Sequence, residues 1–274
     1  MSSIRIGCQS WGYDDWITQP GGSTVFYPRG TKQPEMLGLY AQVFDTIEID
    51  STAYGIPPAA NFENWYAKTP DNFSFSVKLP KQVTHDLSLG PGSGPVMDEF
   101  LHRVALLNEK LGLLLIQLPA SFDGSKENAS NLRSFLSELP NNFRFAIEFR
   151  NPDWFIDWTY EELEKTGVSL ALVEGPWIDR EIMFAALPSA GPDFAYVRVM
   201  GARDLEHFDR IYRVRDDELR LWSDAITKIP GREIFVYVDN HFEGHAPATA
   251  QKLQRLLGLP VTNPAVLENQ GSLF

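Results

Sequence analysis

The 274-residue sequence predicts an eight-stranded parallel α/β barrel in one domain. Three observations carry that expectation. Eight short apolar runs recur along the chain, with room for a helix after most of them. Each run carries a polar residue at or near its end, the pattern of strands that lead into a catalytic mouth. The length matches the roughly 250 residues of such a barrel. No GxGxxG or GxxxxGK[ST] follows the first run, so a dinucleotide or P-loop fold has no anchor.

The first strand is Ile4 to Cys8, followed by an aromatic loop through Trp11, Tyr13, Trp16 and Phe26-Tyr-Pro28. Helical spacing of Met36, Leu37, Tyr40, Ala41 and Phe44 predicts a helix over 34–44. The second strand, Thr46 to Ile49, runs into Asp50, Ser51, Thr52 and Tyr54, and Asn61 is the expected N-cap of the next helix. The third, Phe73 to Leu79, holds Lys78 and leads to Thr84 and His85. An apolar helix is expected over 96–111, then a fourth strand from Leu113 to Leu118 containing Gln117. The fifth, Phe145 to Phe149, turns abruptly charged at Glu148 and Arg150, and Pro152 ends its ladder. Asn151 and Trp154 lie in that turn. The sixth, Val168 to Val173, ends at Glu174, after which no clear helix is legible. The seventh, Phe194 to Met200, holds Arg198, and a helix is expected over 216–229. The eighth, Glu233 to Val238, ends in Asp239, Asn240 and His241. Pro247 suits the first turn of a last helix, and 258–274 reads as a loose tail beyond a core of about 4–257.

A net charge of −12 argues against a general nucleic-acid or anionic-membrane surface. The single cysteine, Cys8, excludes an internal disulfide and a cysteine-based zinc cluster. No basic-then-apolar leader opens the chain and no run reaches the roughly 18 apolar residues of a span, so a cytoplasmic protein without membrane contact is expected.

The chain resembles the YecE-like family, the domain of unknown function 72. The matching residues are Trp11-Gly-Tyr13 with Trp16, Phe26-Tyr-Pro28, Glu48-Ile-Asp-Ser-Thr-Ala-Tyr54, Phe75-Ser-Val-Lys78 and Thr84-His85. They continue with Leu111 to Pro119, Glu148-Phe-Arg-Asn-Pro-Asp-Trp154, Tyr196-Val-Arg198, and Asp239-Asn240 with Ala246-Pro247. The resemblance covers about residues 4 to 257 and implies a TIM barrel without implying a reaction. Three positions depart from the family pattern: Asp50 for asparagine, Cys8-Gln9 for Gly-Thr, and Met200-Gly201 for His-Gly.

If the strand ends converge, the mouth holds the candidate site. Glu148 is the expected acid/base, with Glu48, Lys78 and His85 as further catalytic groups. Lys78, Arg150 and Arg198 would hold an anion. Trp11, Tyr54, Gln117, Asn151, Trp154 and Asn240 are expected substrate contacts. The turn from Gly244 to Pro247 is expected to offer the last helix's N–H groups to a phosphate. The ammonium of Lys78, in an apolar strand, calls for a carboxylate partner such as Glu48 or Glu148. The substrate expected is small and anionic, phosphate-bearing or sugar-like, and the reaction a hydrolysis, lyase or isomerase step. Two other readings remain open. Asp50 and Asp239, with Glu48, Glu148, Glu174 and a histidine, could hold magnesium, manganese or zinc in an isomerase- or endonuclease-like site. Alternatively the aromatic loop grips a ring in a non-catalytic binding protein. A two-carboxylate glycosidase would need the Glu48–Glu148 pair.

Overall fold

In the computed structural model, which describes residues 3–22, 25–191, 193–230 and 233–270, eight strands close into a barrel in sequence order. They are β1 (Ser3–Gln9), β2 (Thr46–Ile49), β3 (Ser74–Lys78), β4 (Leu111–Gln117), β5 (Phe145–Glu148), β6 (Ser169–Glu174), β7 (Phe194–Val199) and β8 (Glu233–Val238). Every neighbouring pair is parallel, and β8 closes on β1. The strands are buried along nearly their whole length because both faces are covered: one by the barrel interior, one by the helices.

The helices are α1 (Gln33–Tyr40), α2 (Ala59–Ala67), α3 (Ser93–Val104), α4 (Lys126–Glu138), α5 (Asp157–Thr166), α6 (Arg180–Ala185), α7 (Asp216–Ile226), α8 (Asn240–Glu243) and α9 (Ala246–Leu256). Several depart from expectation. Helix α1 ends at Tyr40, whose hydroxyl reaches inward, accepting from Cys8 N (2.8 Å) and donating to Thr46 O (3.0 Å). Helix α2 starts at Ala59 after Pro58, so Asn61 lies inside its first turn and is no cap. The sixth crossover, illegible in sequence, contains the six-residue α6. The expected tail forms a 3-10 helix over Pro264–Gln270 with Leu267 buried; 271–274 lie outside the described residues.

Strand register sorts the side chains. Leu113, Leu115, Ala146, Ala171, Phe235 and Tyr237 fill the interior as a cluster separate from the larger core between strands and helices. The hydroxyl of Tyr237 in that cluster meets Thr46 Oγ1 (2.7 Å) and donates to Ser76 Oγ (2.8 Å). The N-terminal pole is closed by ion pairs: Arg5–Asp45 (3.1 Å) and Arg144–Glu233 (2.6 Å).

Candidate active site at the C-terminal mouth

Alternation along each strand places the charged residues. Glu48 follows Thr46 by two and shares its inward face; Arg198 follows Tyr196 in the same way. Gln9 pairs in register with Glu48, Gln117 with Glu148, and Lys78 with Leu115. All therefore continue the interior stack towards the carboxyl ends of the strands, where barrel enzymes build their sites.

Arg198 is the centre of the group. Its Nε and Nη2 fork onto the two oxygens of Glu48 at 2.9 and 2.7 Å, and its Nη1 donates to Glu148 Oε2. Tyr196 donates to Glu48 Oε2 (2.6 Å). Arg150 Nε donates to Glu148 Oε1 (2.6 Å). Glu48 and Glu148 are both 0% exposed and Arg198 2%. Burial pushes the Glu148 carboxyl up, but the guanidiniums of Arg198 and Arg150 outweigh it and carry the pKa down to about 2. Glu148 is thus a fixed anion at neutral pH, with both oxygens engaged. An acid/base role for Glu148, or for a Glu48–Glu148 glycosidase pair, would require these carboxylates to act from within their pairing with Arg198.

Lys78 also differs from expectation. Its Nζ donates to the neutral amide oxygen of Gln117 (2.6 Å), not to a carboxylate, because the two candidate carboxylates already face arginines. Gln117 is held in turn by its Nε2, which donates to Leu118 O (2.7 Å). Burial first, then the charge of Arg198, lowers the Lys78 pKa to about 8 against pull from Glu148 and Glu48. Asp50 stands in the same field, raised by burial and by Glu48. His85 accepts from or donates to Thr84 Oγ1 (2.8 Å) and is pushed down by burial and by Lys78 and Arg150, so it is neutral.

Arg150 lies face to face with Trp177, its guanidinium carbon 3.5 Å from the ring centroid. Its Nη2 is buried and has no hydrogen-bond partner among the described residues. Gln9 Nε2, at the end of β1, is a second buried donor without a partner. Gln9, Tyr196 and Trp177 were not among the expected site residues. Tyr196 and Gln9 were reachable from alternation, being two positions from Arg198 and one strand from Glu48; nothing in the sequence marks Trp177.

Other expected residues are used elsewhere. Tyr54 is 85% exposed, at the end of the 3-10 turn that follows β2. Trp154 stacks between Phe122 and Phe149 (both 5.2 Å) and donates to Phe122 O, a packing role outside the barrel wall. Asn151 caps the turn at Asp153 N and donates to Ala120 O. Asn240 accepts at its carbonyl from Trp16 Nε1 (3.2 Å) and Ala246 N (2.9 Å), tying the aromatic loop to the end of β8, while its Nδ2 is a further buried donor without a partner among the described residues. Trp11 packs edge-on against Trp65. Trp16, Phe26 and Tyr27 are fully buried, so most of the aromatic loop is packing.

The phosphate expectation at the last helix is overturned. Ala246 N is taken by Asn240, Pro247 has no N–H, Ala248 N donates to His245 Nδ1 (3.3 Å), and Thr249 N donates to His245 O. The first turn of α9 has no donor left. The metal expectation also lacks a donor set: among the described residues no three His, Cys, Asp or Glu side chains gather to hold an ion. Asp239 accepts from His241 N as the cap of α8, and Glu174 faces outward, paired with Arg180 and Trp222.

Burial holds His245 neutral, with its pKa lowered from 6.5 to about 4. The unfolded chain therefore binds more protons between those values. Stability present above pH 6.5 is lost as pH falls towards 4, by on the order of 3 kcal/mol. His245→Asn keeps a capping side chain. Its thermal midpoint is expected to vary less than the wild type's across that window; parallel curves would show that His245 is not responsible.

The comparisons with known proteins agree with this architecture. Residues 5–271 match the family model described as "Protein of unknown function DUF72". UPF0759 protein YunF of Bacillus subtilis is 27% identical, over 93% of this chain and 95% of its own. UPF0759 protein YecE of Escherichia coli is 29% identical over 68% of this chain and 62% of its own. A DUF72 family protein from Thermotoga maritima, solved as a crystal structure, superposes with a TM-score of 0.75 at 27% identity, covering 93% of this chain and 99% of that one. One from Enterococcus faecalis gives 0.71 at 23% identity, covering 94% and 97%. No helix of the described residues is long and apolar enough to cross a membrane. With its barrel closed in sequence order and the family model matching nearly end to end, this chain belongs to the DUF72 family.

Proposed function

We propose that the mouth is the active site of an enzyme whose small substrate carries a phosphate or carboxylate. The observation that supports this best is the state of Arg150. Its Nε is engaged by Glu148, Trp177 stacks on its face, and its Nη2 is a buried donor with no acceptor. An unpaired buried donor costs about 1–3 kcal/mol, more for a charged group, and a substrate oxygen would remove that cost. Lys78 and Arg198 add positive charge beside it. Glu48 and Glu148 are the counter-ions that hold the cations in place. Proton transfer then falls to groups poised away from their usual values and not paired with an arginine. Asp50 is raised and Lys78 lowered, and neutral His85 stands at the rim.

The test is a titration with inorganic phosphate and with a sugar phosphate, read by thermal midpoint and calorimetry, against Arg150→Gln. A charged hydrogen bond is worth about 1.5–3 kcal/mol, so the variant should bind roughly 10- to 100-fold more weakly. Equal responses in the two proteins, or a response to neutral polyols alone, would remove the anion from the site.

A further inference from the structure

We propose that Lys78 is a nucleophile that forms an imine with the carbonyl group of an aldehyde or ketone bearing a phosphate or carboxylate. The inference rests on the anion-holding reading above and names the substrate class more narrowly.

Four features point to it. Lys78 stands at the end of β3, on the inward face, half-buried and in register with Leu115. Its one hydrogen-bond partner is neutral: the Gln117 oxygen, oriented by the bond from Gln117 Nε2 to Leu118 O. A lysine in a structural role would be expected to sit against a carboxylate, yet Glu48 and Glu148 are committed to arginines and the Nζ donates to Gln117 instead. Burial and the charges of Arg198 and Arg150 then act against the ammonium, bringing its pKa to about 8. At pH 7 about one molecule in ten then carries the free amine, against fewer than about one in a thousand for an ordinary lysine. That is how a lysine is activated for carbonyl chemistry.

The steps balance without any further reagent. The amine lone pair attacks the carbonyl carbon, forming a C–N bond, while the carbonyl oxygen takes a proton. The resulting carbinolamine then loses its oxygen as water, and nitrogen's second proton leaves with it, giving the imine. We assign the proton transfers to Asp50, at the end of β2, whose carboxyl is raised by burial and by Glu48 although Lys78 pulls it down. Arg150 Nη2 is the donor left to hold the substrate's anion.

The test uses the full chain with glycolaldehyde phosphate and, separately, glycolaldehyde, each with sodium cyanoborohydride. These probes share a carbonyl and differ by the phosphate. Reduction fixes any imine as a secondary amine, which peptide mapping locates. Lys78 is expected to label at least about a hundredfold faster than exposed Lys81, in proportion to its free-amine fraction, and faster with the phosphate probe than without it. Lys78→Met should lose the fast phase. This substitution removes a buried charge and keeps the apolar stem, and a matching circular dichroism spectrum would confirm its fold. Labelling spread over surface lysines, or an unchanged fast phase in Lys78→Met, would overturn the proposal. The two readings fail separately. Phosphate binding lost in Arg150→Gln, without Lys78 labelling, keeps the anion site and removes the imine. Fast Lys78 labelling at equal rates with the two aldehydes keeps the imine and removes the anion site.

Discussion

Replacing Arg198 with Met is expected to lower the thermal midpoint by about 10 °C or more, the largest effect of any single charge change in the barrel. Arg198 donates to both Glu48 and Glu148, and both carboxylates are fully buried. Removing it leaves two neighbouring anions in the interior, with Tyr196 still donating to one and Arg150 to the other. Deleting one partner of a buried ion pair costs about 3–5 kcal/mol, because the remaining charge is neither solvated nor paired. Arg198 has two such partners, so the upper end applies. Lysine would not substitute well, since it lacks the planar fork that spans both Glu48 oxygens.

The pH dependence separates this account from simple loss of packing. In the wild type, Glu148 titrates below its unfolded value of 4.5, at about 2. Its contribution to stability is present above pH 4.5 and is lost as pH falls towards 2. In Arg198→Met the unpaired carboxylates should favour protonation, so the deficit should shrink as pH falls from 7 to 5. Adding Glu48→Gln and Glu148→Gln to Arg198→Met should recover at least half of the lost midpoint at pH 7, measured by differential scanning calorimetry. A deficit independent of pH, and no recovery in the triple variant, would mean that shape rather than charge is what Arg198 contributes.

This network marks where a sequence can be read and where it cannot. Glu148 and Arg150 are two residues apart at one strand end, so alternation alone puts them on one face and their pairing is local. The Arg198 fork joins residues 150 positions apart, and no local signal says which of several carboxylates it takes. Lys78 illustrates the consequence. A buried ammonium requires a partner, and that much follows from its apolar strand. That the partner is Gln117 follows only from the arginines having already taken Glu48 and Glu148. Glu174 fails differently: β6 is buried along its whole length, so apolar runs on both faces hide which way its last side chain points. The first turn of α9 looked like a phosphate site because Gly244 and Pro247 mark a helix start. What closes it is His245 and Asn240 satisfying its donors, an interaction of side chains with backbone that spacing does not reveal.

Gly201→Ala is the second large effect expected, and its cause is space rather than charge. A Cβ at this position would fall 1.8 Å from His241 O and 2.2 Å from its carbonyl carbon. Both are backbone atoms, so no rotamer change relieves the overlap; the loop after β7 and helix α8 must separate. Such forced movement costs more than the usual 1–3 kcal/mol of overpacking, which sets a loss of about 3 kcal/mol or more. The damage would not stay local. Helix α8 begins at Asn240, whose carbonyl holds Trp16 Nε1 and caps the start of α9 at Ala246 N. Displacing α8 therefore loosens the aromatic loop on one side and the last helix on the other. A midpoint lowered by about 5–10 °C is expected, together with increased tryptophan exposure to quencher. Gly94→Ala is the control: its Cβ would meet nothing within 4 Å, and it lies in the first turn of α3. In that setting alanine should be neutral or stabilising by up to about 1 kcal/mol. If Gly201→Ala proved as harmless as Gly94→Ala, the close approach of the β7 loop to α8, and with it the rigid frame assigned to this side of the mouth, would be refuted.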